Sequence, residues 1–410
     1  MEKPEYKVYR FRWALLALIL PAIVAIEALW LTLAPVSSAA MEYYHVPPLG
    51  VDMFSMSYMI MYIVMVAPAS WVIDRFGFRA SLAVGSVLMV VFSITRYLFA
   101  ESYALALASQ FMLAAAQPFL VNISTKVPAN WFPVRERSTA AGLLIMAQYL
   151  GFILPMAAAP LLVGGIGVKG LFGLSAVLAV ASAIPATLFT RERPPVPPGP
   201  EAPKEMMSGG AILRLLRNRE YLWVLIISFV SMGLFNTLMT KLEGILLPRG
   251  IGSVAAGAIG AVFVVAGIIG AVAVPVFSDK TGRRVPLFVA GIALLAPLCL
   301  GLALFSSFVP VAAVGAGLGF LIMGIAPVLF QHGAEVAYPV PEGTSFGFVM
   351  LAGQVSGFLF VWLYDVIHSA SAWPVAPMLF LVAAALLQIP VTLKIGESET
   401  LRDLGLKKSR

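Results

Sequence analysis

The stretch DRFGFR, residues 74–79, together with its partner SDKTGRR, residues 278–284, decides the fold. Each opens on an acid, Asp74 or Asp279. Basic residues then surround a glycine: Arg75, Gly77 and Arg79 in the first, Lys280, Gly282, Arg283 and Arg284 in the second. Long apolar runs flank both, so each reads as a tight charged turn between two helices. The glycine permits the turn, and the charges can pair with one another and with helix ends. Asp74 and Asp279 stand 205 residues apart in a chain of 410, so the motif recurs at half the length. Such a chain is built from two similar halves.

The flanking runs set the class. Of the residues, 60% are hydrophobic and 11% charged, against about 25% charged in a soluble domain; mean hydropathy is +0.94. That is more apolar side chain than one soluble core can hide, so the surface faces lipid. A membrane helix needs ~20 mostly apolar residues. That rule predicts twelve spans: 13–36, 49–73, 80–100, 103–127, 138–162, 169–190, 221–247, 252–277, 286–307, 309–331, 344–367 and 372–393. The basic N-terminus before the first run is that of an uncleaved first helix, since the apolar stretch is long enough to span and no small-residue site ends it early. The Pro-rich, charged segment RERPPVPPGPEAPKE lies in 191–220 and reads as a linker. The expected plan is a six-helix bundle at 1–190, that linker, a second bundle at 221–393 and a tail at 394–410.

Of the 27 lysines and arginines, 23 fall in the N-terminus, the even-numbered linkers and the tail; Arg96, Lys169, Lys241 and Arg249 are the exceptions. Basic loops stay in the cytoplasm, so both termini are expected there. The net charge of +7 then records topology rather than affinity for nucleic acid. Cys299 is the sole cysteine, and His45, His332 and His368 are scattered. There is no intramolecular disulfide, no metal-ligand cluster, no Walker A loop, no HExxH and no GxSxG. No cofactor and no enzymatic chemistry is expected.

A second repeat runs at an offset of 206. FPVRERSTAAGLLIMAQYLGF from Phe132 aligns with YPVPEGTSFGFVMLAGQVSGF from Tyr338, matching Glu136 with Glu342, Gln148 with Gln354, Gly151 with Gly357 and Phe152 with Phe358. Spans 5 and 11 are therefore equivalents, each with a glutamine at one depth. Paired halves around a midplane site are how many transporters are built.

The acid–basic–glycine turn in both halves of a 6+6 plan resembles the major facilitator superfamily, with Ser70 and Pro275 where that motif usually leads with glycine. Three segments are similar to a narrower family, the feline leukaemia virus subgroup C receptor (FLVCR) relatives: DMFSMSYMIMYIVMVAPASWVIDRFGFR, AQPFLVNISTKVPANWF and EVAYPVPEGTSFGFVMLAGQVSG. That resemblance implies choline or ethanolamine transport, historically haem export. It also implies a site at Trp30, Gln117, Asn236 and Gln354, with Asn236 standing where the family has tyrosine.

Each candidate has two readings. Trp30 can hold a quaternary ammonium by cation–π attraction or serve as an interfacial anchor; the resemblance favours the site. Glu27 lies one turn before it, on the same helix face. An ionisable group inside a span costs at least ~2.5–3.5 kcal/mol, so Glu27 faces the interior, either to neutralise a cation or to carry a coupling proton. Gln117, Gln354 and Gln148 offer donors and an acceptor, or act as interhelical glue; for Gln148 glue is favoured. Asn236, Thr240 and Glu243 share a face, with Lys241 off it. Lys241 and Glu243 can form an extracellular gate, with Arg96, Asp52 and Asp365 as partners, or reach water; for each the favoured reading is a solvated outer helix end. A haem site would favour an axial histidine, and none lies at mid-depth in a predicted span.

The sequence thus leads to an alternating-access secondary transporter: an expected monomer in the cell membrane, bound to no nucleic acid and moving a choline- or ethanolamine-like cation or amine. The charged turns, with Glu136 and Glu342, serve as conformational latches. The competing readings are a proton-coupled exporter of another metabolite or drug, a haem transporter, and a non-transporting receptor or membrane enzyme.

Overall fold

A computed structural model of the chain describes residues 6–124, 126–198, 209–281, 284–338, 340, 342–371, 373 and 375–396. All regular structure among the described residues is helical. The chain divides into two compact units, Met1–Pro203 and Lys204–Arg410. The first holds α1 (Phe11–Trp30), α2 (Ser37–Tyr44), α3 (Pro48–Phe76), α4 (Phe78–Leu98), α5 (Tyr103–Ala114), α6 (Ala116–Val121), α7 (Lys126–Trp131) and α8 (Val134–Leu188). The second holds α9 (Gly209–Arg217), α10 (Arg219–Leu246), α11 (Ser253–Thr281), α12 (Val285–Leu304), α13 (Phe308–Val336), α14 (Glu342–Ala370) and α15 (Ala376–Thr392).

Among the described residues, ten helical stretches are long and apolar enough to cross a membrane, and α15 is a shorter apolar helix. One of the ten, within α8, runs for 54 residues. At 1.5 Å per residue it covers roughly 80 Å, more than twice the ~30 Å of hydrocarbon in a bilayer. Its backbone leaves helical geometry at Gly167, φ +66° and ψ −179°, between the expected spans 138–162 and 169–190. Large apolar side chains stand outward all around these helices: Leu161 is 68% exposed, Val177 65% and Leu387 70%. In water such a surface would be an aggregation hazard; in lipid it is the solvent-matched face. Backbone polar groups are satisfied within the helices, as hydrocarbon demands.

Local chemistry sets the helix ends. Pro48 opens α3 at a position that needs no N–H donor. The Asn218 side chain caps α10 by accepting from the Tyr221 N–H at 3.1 Å. Gly77, at φ +90°, separates α3 from α4, a conformation that disfavours any residue with a Cβ.

In the first unit α1 packs along α8, and in the second α10 packs along α14. The α1–α8 approach is close because Gly151 faces α1. A Cβ added there would sit 2.6 Å from Glu27 Cβ and 2.7 Å from the Val24 carbonyl oxygen. The missing side chain at 151 makes room for the acid at 27.

Candidate functional site

Glu27 lies near the end of α1 and is 1% exposed. Among the described residues no basic side chain forms an ion pair with it. Its partner is Gln117 on α6, whose Nε2 lies 3.1 Å from both carboxylate oxygens and donates to them. Gln117 is itself 7% exposed, and its Oε1 is buried without a partner. Two sequence candidates 90 residues apart thus meet through a direct contact.

Trp30, one turn further along α1, is 6% exposed, which removes the reading of a lipid-facing anchor. Its Nε1–H donates to the Ser55 carbonyl of α3 at 3.0 Å. Its ring stacks on Tyr58, centroids 6.2 Å apart at 25°, and meets the edge of Phe152 at 5.4 Å. Tyr149 lies 6.1 Å beyond Phe152. The Tyr58 hydroxyl is buried without a partner, while the Tyr62 hydroxyl lies 3.0 Å from Asn122 Oδ1 and donates to it. An aromatic cluster therefore stands beside the acid, built within the first unit. Sequence reasoning did not assign Tyr58 or Tyr62 a role. The available signal was their period along α3 within one of the quoted family segments, at i and i+4.

Arg96 overturns its expected placement as a solvated helix end. It is fully buried, its Nη1 donating to Gln110 Oε1 and, at 3.4 Å, to the Leu29 carbonyl. The guanidinium lies 4.4 Å from the Phe172 ring centroid. Gln110 passes the link on, donating to the Phe54 carbonyl at 3.0 Å. Since Leu29 precedes Trp30 and Phe54 precedes Ser55, this network fixes both backbone segments that hold the indole.

The second unit likewise corrects the outer-end reading. Lys241 on α10 forms a buried ion pair with Asp365 on α14, side chains 6% and 8% exposed. Its ammonium also lies 5.7 Å from the Tyr364 ring centroid. Glu243, 1% exposed, accepts from the Ser253 hydroxyl at 2.5 Å, and Asp52 in the first unit is 4% exposed. Asn236 is buried on α10 and Gln354 half-buried on α14. Gln148 is half-buried on α8. His332 is fully buried inside α13, its ring 5.7 Å from Phe288, one residue past the predicted span.

The first charged turn has a partner that sequence did not identify. Glu192, just past α8, accepts from the backbone N–H of Phe78 at 3.2 Å and of Arg79 at 2.8 Å, capping α4. Asn130 holds the same carboxylate at 3.0 Å, and Trp131 Nε1 donates to the Arg191 carbonyl at 3.0 Å. Asp74, Arg75 and Arg79 are exposed, with Arg75 over the rings of Trp71 and Phe76. Glu136 pairs with Arg12 through a fork of 2.8 and 3.1 Å, tying the start of α8 to the start of α1. In the second turn Arg284 pairs with Glu335 at 2.7 Å, and Lys280 is exposed. Gly282 and Arg283 lie outside the described residues, as do the side chains of Asp279 and Glu342.

The family model of the Major Facilitator Superfamily matches residues 11–361. The chain belongs to the Major Facilitator Superfamily. A bacterial homologue of the human lysosomal transporter Spinster, solved inward-facing and unoccupied, has the same fold: TM-score 0.70 at 14% identity, covering 95% of both chains. Among curated relatives of this superfamily member, Solute carrier family 49 member A3 of Xenopus tropicalis is 30% identical over 384 residues, 89% of this chain and 79% of the relative. The Choline/ethanolamine transporter flvcr2b of Danio rerio is 27% identical over 378 residues, 87% and 78%. The human Choline/ethanolamine transporter FLVCR2 is 26% identical over 375 residues, 86% and 71%. The FLVCR resemblance read from the motifs is therefore one of whole-chain similarity. This superfamily member is a multi-pass membrane transporter and not an enzyme.

Proposed function

We propose that the chain is a secondary transporter of a small organic cation or amine, choline-like or ethanolamine-like, working by alternating access. The observation that carries this reading is the buried Glu27 carboxylate, held by a neutral amide and set beside the Trp30–Tyr58–Phe152 cluster. An ionised acid in such surroundings is costly unless a positive charge answers it. An aromatic face adds roughly 0.5–2 kcal/mol of cation attraction. The names of the choline/ethanolamine transporter relatives point the same way. In this reading Asn236, Gln354 and Gln148 are further substrate contacts.

In this reading the break at Gly167 divides α8 into two crossings and α15 is a further one. That makes twelve spans in bundles 1–190 and 221–393, a cytoplasmic linker at 191–220, a cytoplasmic tail at 394–410 and both termini cytoplasmic. The protein works as a monomer in the cell membrane. The charged turns and the pairs they form act as conformational latches: when Glu192 releases α4, or Arg284 releases Glu335, that end of the unit is free to rearrange.

A proton-coupled exporter is the second reading, favoured by the same buried acid. The two separate in proteoliposomes given labelled ethanolamine and choline with and without a pH gradient. Saturable amine uptake that Glu27→Gln abolishes supports the first reading. Amine uptake that collapses with the pH gradient brings in the proton. Absence of any saturable amine uptake would overturn the proposal.

A further inference from the structure

We infer that the cation received at Glu27 carries N–H bonds: it is a primary or secondary ammonium, and a quaternary ammonium is the poorer ligand. This inference rests on the amine-transport reading above and narrows it. It follows from counting donors and acceptors around the acid. An ionised carboxylate offers about four lone-pair sites. Among the described residues, the Gln117 amide is the hydrogen-bond donor that reaches Glu27. Gln117 Oε1 is a further buried acceptor without a partner. Of the neighbouring donors, Trp30 Nε1 is committed to the Ser55 carbonyl and the Tyr62 hydroxyl to Asn122, while the Tyr58 hydroxyl, buried without a partner, can donate or accept and makes no bond to Glu27. Arg96, a buried cation of this unit, bonds Gln110 and the Leu29 carbonyl through Nη1; its Nε and Nη2 are buried without partners, and none of its nitrogens bonds Glu27. At the acid–amide pair itself, acceptors therefore outnumber the donors that reach them.

A protonated amine supplies the complement. An R–NH3⁺ group has three donors and no acceptor, so it can bond both Glu27 and Gln117 Oε1 while its charge answers the carboxylate. Charge-assisted bonds of this kind are about twice as strong as neutral ones. A quaternary ammonium keeps the Coulomb and cation–π terms but donates nothing. It leaves Gln117 Oε1 buried and unpaired, the situation by which built polar sites reject analogues lacking a donor. An aromatic cage is indifferent to N–H count, whereas an acid–amide pair is not. The acid–amide pair is what this chain places beside its tryptophan.

The test uses the purified full chain in proteoliposomes and the series ethanolamine, N-methylethanolamine, N,N-dimethylethanolamine and choline. Each member keeps the positive charge at neutral pH while N–H bonds are removed in turn. Apparent affinity should fall across the series, with at least about a tenfold drop when the last N–H is lost. Glu27→Gln should flatten the series. Gln117→Leu should narrow the ethanolamine-to-choline ratio without erasing it. Ligand-induced thermal stabilisation of the same samples reads the same order without transport, and keeps the test valid if a variant folds but does not turn over. Choline bound and transported as well as ethanolamine, or better, would overturn the inference while leaving amine transport standing. Failure of all four compounds would remove the amine reading and the inference together.

Discussion

The Lys241–Asp365 pair is the most exacting check on the second unit. Replacing Lys241 by Met leaves Asp365 buried with no cation against it; its Oδ2 already lacks a hydrogen-bond partner. Breaking a buried pair by removing one member costs roughly 3–5 kcal/mol. Asp365→Leu takes the carboxylate from the ammonium instead, with the Tyr364 ring still 5.7 Å away, a contact worth roughly 0.5–2 kcal/mol. Replacing both removes the desolvation penalty along with the attraction, so the double variant should come close to the parent or exceed it. Unfolding by denaturing detergent, followed by tryptophan fluorescence, gives the cycle. Each single variant should be destabilised and the double variant rescued. A double variant destabilised by the sum of the singles would refute the burial of this pair.

Three further outcomes are expected. Gly151→Ala pushes a methyl against Glu27 Cβ and the Val24 carbonyl and should cost about 1–3 kcal/mol as overpacking; a neutral result in the same unfolding assay would mean α1 and α8 do not approach as described. Glu192→Ala removes the cap on Phe78 and Arg79 and should cost about 0.5–2 kcal/mol, while Glu192→Gln, which keeps an acceptor, should cost less; equal losses would speak against capping. Glu101 is held below the usual carboxylate range by the hydrogen bond from the Lys169 ammonium at 2.7 Å. A depressed carboxylate stabilises above its ordinary pKa and loses that contribution as pH falls through its folded value. With the Glu101 side chain exposed and Lys169 partly so, Glu101→Gln should leave the midpoint unchanged from pH 7 to pH 5, and a clear shift in that window would contradict the exposed placement.

Much of the protein was legible in the chain itself because its determinants are local or periodic. Apolar run length against bilayer thickness pointed to membrane-crossing helices, of which the described residues hold ten long and apolar enough, and Gly167 breaks α8 where two were expected. The half-length repeat of the charged turns led to the superfamily, which whole-chain comparison bears out. The helical period put Glu27 and Trp30 on one face. Their burial, the union of Glu27 with Gln117, and the neighbours Tyr58 and Phe152 depend on which helices pack together, and no period along one helix carries that information.

The charges taken for solvated ends show the same limit most clearly. Arg96, Lys241 and Asp365 stand near the ends of apolar runs, where a one-dimensional reading sends them to water. Only the fold supplies the Gln110 amide, the Phe172 face and the Lys241–Asp365 pairing across two helices. A charge is buried when its partner arrives from elsewhere in the chain. The sequence determined that each such group exists and where along an apolar run it stands; the tertiary structure decided what it meets there.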